Sequence, residues 1–337
     1  MRLHKIVTGT GILLGIMAVS LLRQKAAYIL RGKTVLVTGG SRGLGLLLAQ
    51  TFASREARVA ILARDADELA RALQQLETIT SEVVAIRADV TVRSEAEDAV
   101  QQVRQRFGSL DILVNNAGII TVGPLETATT DDYRDSIDTH FWGAFFTSMA
   151  VLPEMRRRGQ GRIVNIASIG GKISVPHLLP YCVGKFALTG FSEGLRSEVM
   201  KDNIKVTTVC PGLMRTGSPR NASFKGSYKA EYVWFSLAAA LPLISMNANR
   251  AARQVVDACQ RGDAEVVLSL PARLLVKLHD LTPLATADLL SLANRLLPAP
   301  GTEGNEARKG KDSVSKVSPS WLTNLGDRAA EQNNEVA

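Results

Sequence analysis

Cysteine is scarce in this chain, with three residues in 337, at positions 182, 210 and 259. So few, so dispersed, they exclude a disulfide framework and a cysteine-built metal site, and they read as reduced thiols. Acidic residues are missing from the first 33 positions, which hold Arg2, Lys5, Arg23, Lys25, Arg31 and Lys33 and so carry +6 of the chain's formal +8. The rest of the chain is nearly neutral, which excludes the basic footprint of a nucleic-acid binder. No internal repeat is present. What is present is a globular composition, with 46% hydrophobic and 21% charged residues, enough for a sizeable packed interior.

Residues 6–22 are uncharged, and as a helix they reach about 25 Å at about 1.5 Å per residue, the short end for a membrane span. Three readings compete. A retained membrane anchor fits the length and the basic flanks, a cleaved signal peptide would use the poor site at Ala18-Val-Ser20, and a surface helix would pack on the protein itself. Basic residues on both sides lean toward a cytoplasmic catalytic domain without fixing the orientation.

From residue 33 onward short apolar strands alternate with helical stretches, which predicts an α/β fold with a parallel sheet covered on both faces. Strands are expected at residues 33–38, 59–62, 82–87, 111–114, 162–167 and 205–209, with helices at 67–76, 94–107, 131–158 and 181–200. The chain divides into an apolar segment (1–32), a dinucleotide-binding catalytic domain (33–298) and a tail (299–337) whose composition predicts disorder.

The first strand runs into Thr38-Gly-Gly-Ser-Arg-Gly-Leu-Gly45 and then at once into helix formers. Glycines at 39, 43 and 45 permit positive φ and close approach of a pyrophosphate, and the helix that follows offers unpaired N–H groups to the anion. At the end of the second strand stands Arg64, where an acid would select NAD. With Arg42 in the glycine turn it supplies two guanidiniums for a 2′-phosphate, so NADP(H) is favoured over NAD(H). Two solvated loop arginines are the alternative.

Ser168 follows the fifth strand, and Tyr181 and Lys185 lie four apart, on one face of a helix. A tyrosine is a poor base at its reference pKa of about 10, so a neighbouring cation must stabilise the phenolate. An isolated pair of this kind is more often an ordinary helix surface pair.

The pair is not isolated. The glycine turn, Asn115-Asn-Ala-Gly118, Ser168, Tyr181-x-x-x-Lys185 and Pro211-Gly212, in this order, resemble the short-chain dehydrogenase/reductase family over residues 33–270. The resemblance implies a doubly wound Rossmann-type sheet of seven strands, the seventh at residues 265–269. It implies that Tyr181 gives or takes a proton, that Lys185 holds the nicotinamide ribose and lowers the tyrosine pKa, and that Ser168 positions the substrate oxygen. The cofactor-binding set it implies is Gly39, Ser41, Arg42, Gly43, Leu44, Gly45, Arg64, Asp89, Val90, Asn116, Ala117, Gly118, Tyr181, Lys185, Pro211, Gly212 and Thr216. One departure is plain. Where the family shows Asn-x-x-Gly this chain has His140-Phe-Trp-Gly143, which puts the water-mediated proton path in doubt and brings a titrating group beside it.

After Thr216 the chain is long and apolar from Tyr232 to Ile244, with Trp234, Phe235, Leu237 and Leu241 on a helix that would close over the nicotinamide. A lid of this kind favours a bulky lipophilic alcohol or ketone, such as a steroid, retinoid or lipid. Packing on the domain, or on a second subunit of a homodimer or tetramer, is the alternative. Residues 274–297 form a further apolar helical region. Two functions from different classes remain: an oxidoreductase, and a cofactor-binding scaffold or sensor without turnover, for which His140 is the one supporting feature.

Overall fold

The computed structural model describes residues 28–301, 304–313 and 323–336. The membrane anchor expected at residues 6–22 lies outside them, and among the described residues no helix is long and apolar enough to cross a membrane.

Strands β1 (Thr34–Thr38), β2 (Arg58–Ala63) and β3 (Val83–Arg87) alternate with helices α1 (Gly43–Ala53), α2 (Ala66–Glu77) and α3 (Arg93–Phe107). Then come β4 (Ile112–Asn115), α4 (Thr130–Ile137), α5 (Gly143–Arg158), β5 (Gly161–Ile166), α6 (Leu179–Val199) and β6 (Ile204–Pro211). Helices α7 (Tyr228–Ala240) and α8 (Ala248–Arg261) lead to β7 (Glu265–Leu268). The strands form one parallel sheet in the order β7-β6-β5-β4-β1-β2-β3, the doubly wound arrangement the sequence predicts. Strand order reverses between β1 and β4, where Val35 lies beside Ile112 and Val37 beside Val114. A crevice opens at such a switch point, outside the carboxyl ends of the strands.

Strand β1 is buried at all five positions. Val35 and Val37 enter the core beneath α1 and α8, and Leu36 enters the core beneath α3 and α5. An apolar run with period two is what a strand covered on both faces requires. Helix α8 shows the matching pattern, burying Ala251, Ala252, Val255, Val256 and Cys259 at three- and four-residue steps. The Asn247 side chain caps its start by accepting the Arg250 N–H at 3.0 Å, and Gly262 ends it at φ 71°.

Three elements differ from the sequence expectation. The helix expected over 131–158 is interrupted by a π-turn at Asp138–Trp142, which separates α4 from α5. The apolar region 274–297 breaks at a proline into α9 (Leu270–Leu281) and α10 (Pro283–Asn294), because Pro283 lacks the N–H that a continuous helix needs. The tail is not disordered where it is described. Arg308–Lys309 pairs antiparallel with Ser223–Phe224, and α11 (Asn324–Gln332) lies against α7.

Candidate active site

The glycine turn after β1 is locked to the loop after β4. Gly39 has φ 63°, and a Cβ there would stand 2.8 Å from the Ala117 Cα. The Asn116 side-chain amide donates to the Thr38 and Gly39 carbonyls, both at 3.1 Å. In return the Thr38 hydroxyl accepts the N–H groups of Asn116 and Ala117 at 3.0 and 3.1 Å. Asn116 therefore braces the turn with its side chain, and Ala117 and Gly118 present backbone to the crevice. Gly43 has φ 56°, and its outer face receives an anion. A Cβ built there would lie 2.5 Å from a carboxyl oxygen of Glu335. The residues present thus fit the phosphates of a dinucleotide, held by the backbone of Ser41, Gly43, Leu44 and Gly45 at the start of α1.

The two arginines differ in their surroundings. Arg42 pairs with Glu68 at 2.6 Å and reaches Glu335 at 3.6 Å. Arg64 is 65% exposed and meets Asp89 at 3.4 Å. Against the cost of partial burial, hydrogen bonds from Thr91 and the Arg64 guanidinium hold the Asp89 carboxyl below its ordinary pKa. Val90 is buried and packs close to Gly143 at the start of α5.

Ser168, Tyr181, Lys185 and His140 converge past the ends of β4 and β5. The Ser168 hydroxyl accepts the Gly170 N–H at 3.0 Å, which fixes the turn after β5, and it also hydrogen-bonds the Tyr181 phenol. Burial raises the Tyr181 pKa and the Ser168 hydrogen bond lowers it, with burial the larger effect. Lys185 lies 5.7 Å from the Tyr181 ring centre and donates to the Ile166 carbonyl at 2.8 Å. Burial brings its pKa down to about 7. Lys185 therefore does not offset the rise at Tyr181 in this arrangement; desolvation acts on both groups.

The π-turn aims His140 at the same point. A Cβ on Gly118 would lie 3.0 Å from His140 Nε2 and 3.6 Å from Lys185 Nζ. Nε2 accepts the Ile119 N–H at 3.3 Å, which places the ring proton on Nδ1, 3.2 Å from the Ser136 hydroxyl. Burial, with Lys185 beside it, holds the His140 pKa well below its ordinary value. The downward shift disfavours the charged imidazole whose titration the sequence left open, and both ring nitrogens have partners. Gly184, between Tyr181 and Lys185, makes the approach possible, since a Cβ there would stand 2.8 Å from His140 Nδ1.

Beneath these groups runs a buried polar chain. Asn115 donates to Asn165 at 2.8 Å and accepts from Thr147 at 2.7 Å, and Asn165 donates to Ser192 at 2.9 Å. Each amide finds partners, so the strand ends beneath the site are fixed rather than strained. On the far side, Gly212 packs against Ser269 and Ala272 at the start of α9, Pro211 ends β6, and Thr216 is buried. The three cysteines are free and buried, which raises the pKa of each.

Helix α7 packs on the domain, the alternative to a lid. Tyr232 and Phe235 are core, packed on Phe224 with ring centres 5.4 and 5.9 Å away, while Leu241 is exposed. Val122, Leu178 and Cys182 join that cluster, and Ile120, Val175, Tyr181 and Trp234 border it, so the tyrosine faces an apolar wall. The wall has one polar tie that the sequence did not reveal. Buried Glu231 accepts from His177 Nδ1 at 2.8 Å and from Trp234 Nε1 at 2.6 Å. The Glu231–Trp234 spacing is visible on a helix, but His177 lies 54 positions away. Also unforeseen were Lys309, near Arg42 and Arg64, and residues 333–335, which carried no motif at all.

The short chain dehydrogenase family model matches residues 33–225. A dehydrogenase/reductase SDR family protein 7-like of Anopheles gambiae is 40% identical over 205 residues, 59% of this chain and 64% of that protein. Mouse 17-beta-hydroxysteroid dehydrogenase 13 is 35% identical over 198 residues, 57% of this chain and again 64% of that protein. The chain thus spans just under two-thirds of the length of each. Among solved structures, the L-sorbose reductase of Gluconobacter frateurii, complexed with NADPH and L-sorbose, superposes with a TM-score of 0.63 at 28% identity, covering 71% of this chain and 95% of that one. With its strand order, its glycine turn and its Ser168–Tyr181–Lys185 cluster, the chain belongs to the short-chain dehydrogenase/reductase family of NAD(P)-dependent oxidoreductases acting on CH–OH groups.

Proposed function

We propose that this chain is an NADP(H)-dependent oxidoreductase that interconverts a carbonyl and a secondary alcohol on a bulky lipophilic substrate at a membrane. The observation that carries the reading is the convergence of Ser168, Tyr181 and Lys185 on one side of a crevice whose other side is the glycine turn. With its phosphates held at that turn, a nicotinamide dinucleotide would supply or accept the hydride. The rest of the chemistry belongs to the chain. In the reducing direction Tyr181 Oη gives a proton to the carbonyl oxygen, which the Ser168 hydroxyl holds in place. Lys185, when protonated, faces the phenolate left behind and stabilises it electrostatically. His140, neutral and held at both nitrogens, acts as a positioning residue that fixes the Gly118–Ile119 backbone.

The cofactor preference rests on charge. Besides burial, the charges of Arg42 and Arg64 lower the pKa of Lys309, so a 2′-phosphate there would meet three cations, two of them already facing the carboxylates of Glu68 and Asp89. The L-sorbose reductase with its NADPH supports the same choice. The substrate class rests on the apolar wall beside Tyr181 and on the leucines of α9 and α10. Leu270, Leu274, Leu281, Leu284 and Leu292 on these helices, and Leu296 just after them, are all more than half exposed, apolar surface suited to an apolar phase. The uncharged, base-flanked residues 6–22 support anchorage to the same membrane.

The test is a screen of lipophilic ketones with NADPH, and of alcohols with NADP⁺, followed by nicotinamide absorbance. Turnover that falls by about 10²–10⁴-fold in Tyr181→Phe, with cofactor affinity kept within a few-fold, is the expected result. Cofactor binding without hydride transfer to any carbonyl would support the scaffold reading instead.

A further inference from the structure

Residues 333–335 sit at the mouth of the crevice, against the glycine turn. After α11, the Asn333 carbonyl accepts the Gly43 N–H at 2.8 Å, and the Asn333 amide donates to the Thr216 carbonyl at 3.0 Å. Asn334 donates to the carbonyls of Ser41 and Glu68 at 2.8 and 3.0 Å and accepts from Arg71 at 2.8 Å. The Glu335 carboxylate lies against Gly43, accepts from Asn221 at 2.5 Å and faces Arg42 at 3.6 Å. Three consecutive residues thus bridge the glycine turn, α2 and the loop after β6, the elements that line the phosphate and nicotinamide ends of the crevice.

We propose that residues 333–335 are an autoinhibitory plug that competes with the dinucleotide's phosphates for the glycine turn. The proposal rests on the cofactor reading above. Its warrant is that the groups engaged by the plug are the groups a pyrophosphate needs. The Gly43 N–H is taken, a carboxylate covers the glycine face, and Arg42 is drawn to Glu335 and Glu68. A plug and a pyrophosphate cannot occupy that face together.

The segment places in the groove an acidic group whose side chain is 4% exposed, with the Arg42 guanidinium 3.6 Å away and the charge of Arg220 also acting on it. Burial pushes the Glu335 carboxyl up to about 7, opposed by Arg42 and Asn221. One buried carboxyl is a weaker match for the turn than a doubly charged diphosphate, and the helix before it adds a second hold. Gly217, at φ 93°, closes against Ala330 of that helix. The plug delivers the anion at high local concentration without making it the better ligand.

The experiment measures NADPH binding to the full-length protein by quenching of tryptophan fluorescence, beside Glu335→Ala and a chain ending at residue 322. If the plug is docked in nine-tenths of molecules, the apparent Kd is raised about tenfold, and both variants lower it by that factor. A synthetic peptide of residues 323–337, added to the shortened chain, should raise the apparent Kd competitively. In hydrogen exchange, NADPH should increase exchange over residues 323–336 of the full-length chain while protecting residues 39–45. Equal Kd values for full-length protein and Glu335→Ala, with residues 323–336 still protected when NADPH is bound, overturn the proposal. A weaker Kd in Glu335→Ala, itself folded by circular dichroism, also overturns it, because the tail would then be part of the cofactor site. Absence of NADPH binding in all three proteins overturns the cofactor reading itself, and the plug with it.

Discussion

Glu231 carries more of the substrate wall than its position on α7 suggests, and replacing it by alanine gives a measurable test. The carboxylate has no exposed surface and accepts two hydrogen bonds, from His177 at 2.8 Å and from Trp234 at 2.6 Å. Glu231→Ala leaves the buried His177 N–H and the half-buried Trp234 N–H facing a cavity, at about 1–3 kcal/mol for the first and about 1–2 kcal/mol for the second. The expected loss is therefore about 2–5 kcal/mol, which in a domain of this size lowers Tm by about 5–15 °C. Glu231→Gln keeps one acceptor and turns an amide donor toward the other N–H, so it should fall between wild type and alanine. Trp234→Phe removes one of the stranded donors, so the double variant Glu231→Ala/Trp234→Phe should lose less than the sum of the single losses, by about 1 kcal/mol or more. Circular dichroism melts of the four variants and the wild type supply every number. His177 sits at φ 62°, four residues before Tyr181, so the same variants should raise KM for the carbonyl while leaving NADPH affinity unchanged. A Tm within about 2 °C of wild type for Glu231→Ala, or strict additivity in the double variant, would refute the reasoning.

Arg64→Asp should move the ratio of kcat/KM values from NADPH toward NADH, by removing a phosphate partner and offering a carboxylate to the ribose hydroxyls; an unchanged ratio removes Arg64 from cofactor selection. Burial lowers the Lys185 pKa to about 7, so between that pH and the usual lysine range the unfolded chain binds more protons than the folded one, and stability rises with pH across the window. Lys185→Met should abolish turnover, raise Tm below pH 7 and flatten that slope, and an identical pH–Tm curve in the two proteins counts against the buried lysine. Tyr28 and Leu30 pack on the domain, the Tyr28 ring lying 4.2 Å from the Arg162 guanidinium, so a truncation meant to spare the fold must stop before them. Deletion of residues 1–27 should convert a protein that resists carbonate extraction from membranes into one that carbonate releases, with turnover of a water-soluble ketone retained; a full-length chain already released by carbonate defeats the anchor.

The sheet was legible because its signals are local. Each strand is an apolar run bounded by turn residues, and the glycine turn, Ser168 and the Tyr181–Lys185 pair sit at strand ends or on one helix face, in an order along the chain that resembles a known family. What escaped detection depends on contacts between distant segments. The π-turn at Asp138–Trp142 leaves no mark in the apolar period, because the phase shift it introduces is absorbed when α4 packs on α6 and α5 on α3. The neutral state of His140 follows from its depth beside Lys185, which a sequence does not print. The tail misled for a related reason. Its Lys, Glu, Asn and Ser content cannot build a core of its own, but residues 333–335 need none, since they satisfy polar groups already presented by the glycine turn and α2.

The π-turn also sets how this helix tolerates change. It inserts one residue into a rod that otherwise turns about 100° per residue, so the stretch before it and the stretch after it present different sides to the protein. Ser136 faces the catalytic helix from one side, while Val151, Leu152 and Met155 fill the core between sheet and α3 from the other. Removing a single residue between 138 and 142 would restore an unbroken α-helix and rotate one of these two sets out of place, whereas replacing a side chain there would leave both phases intact. In this segment the count of residues, more than their identity, is what ties the core to the catalytic group.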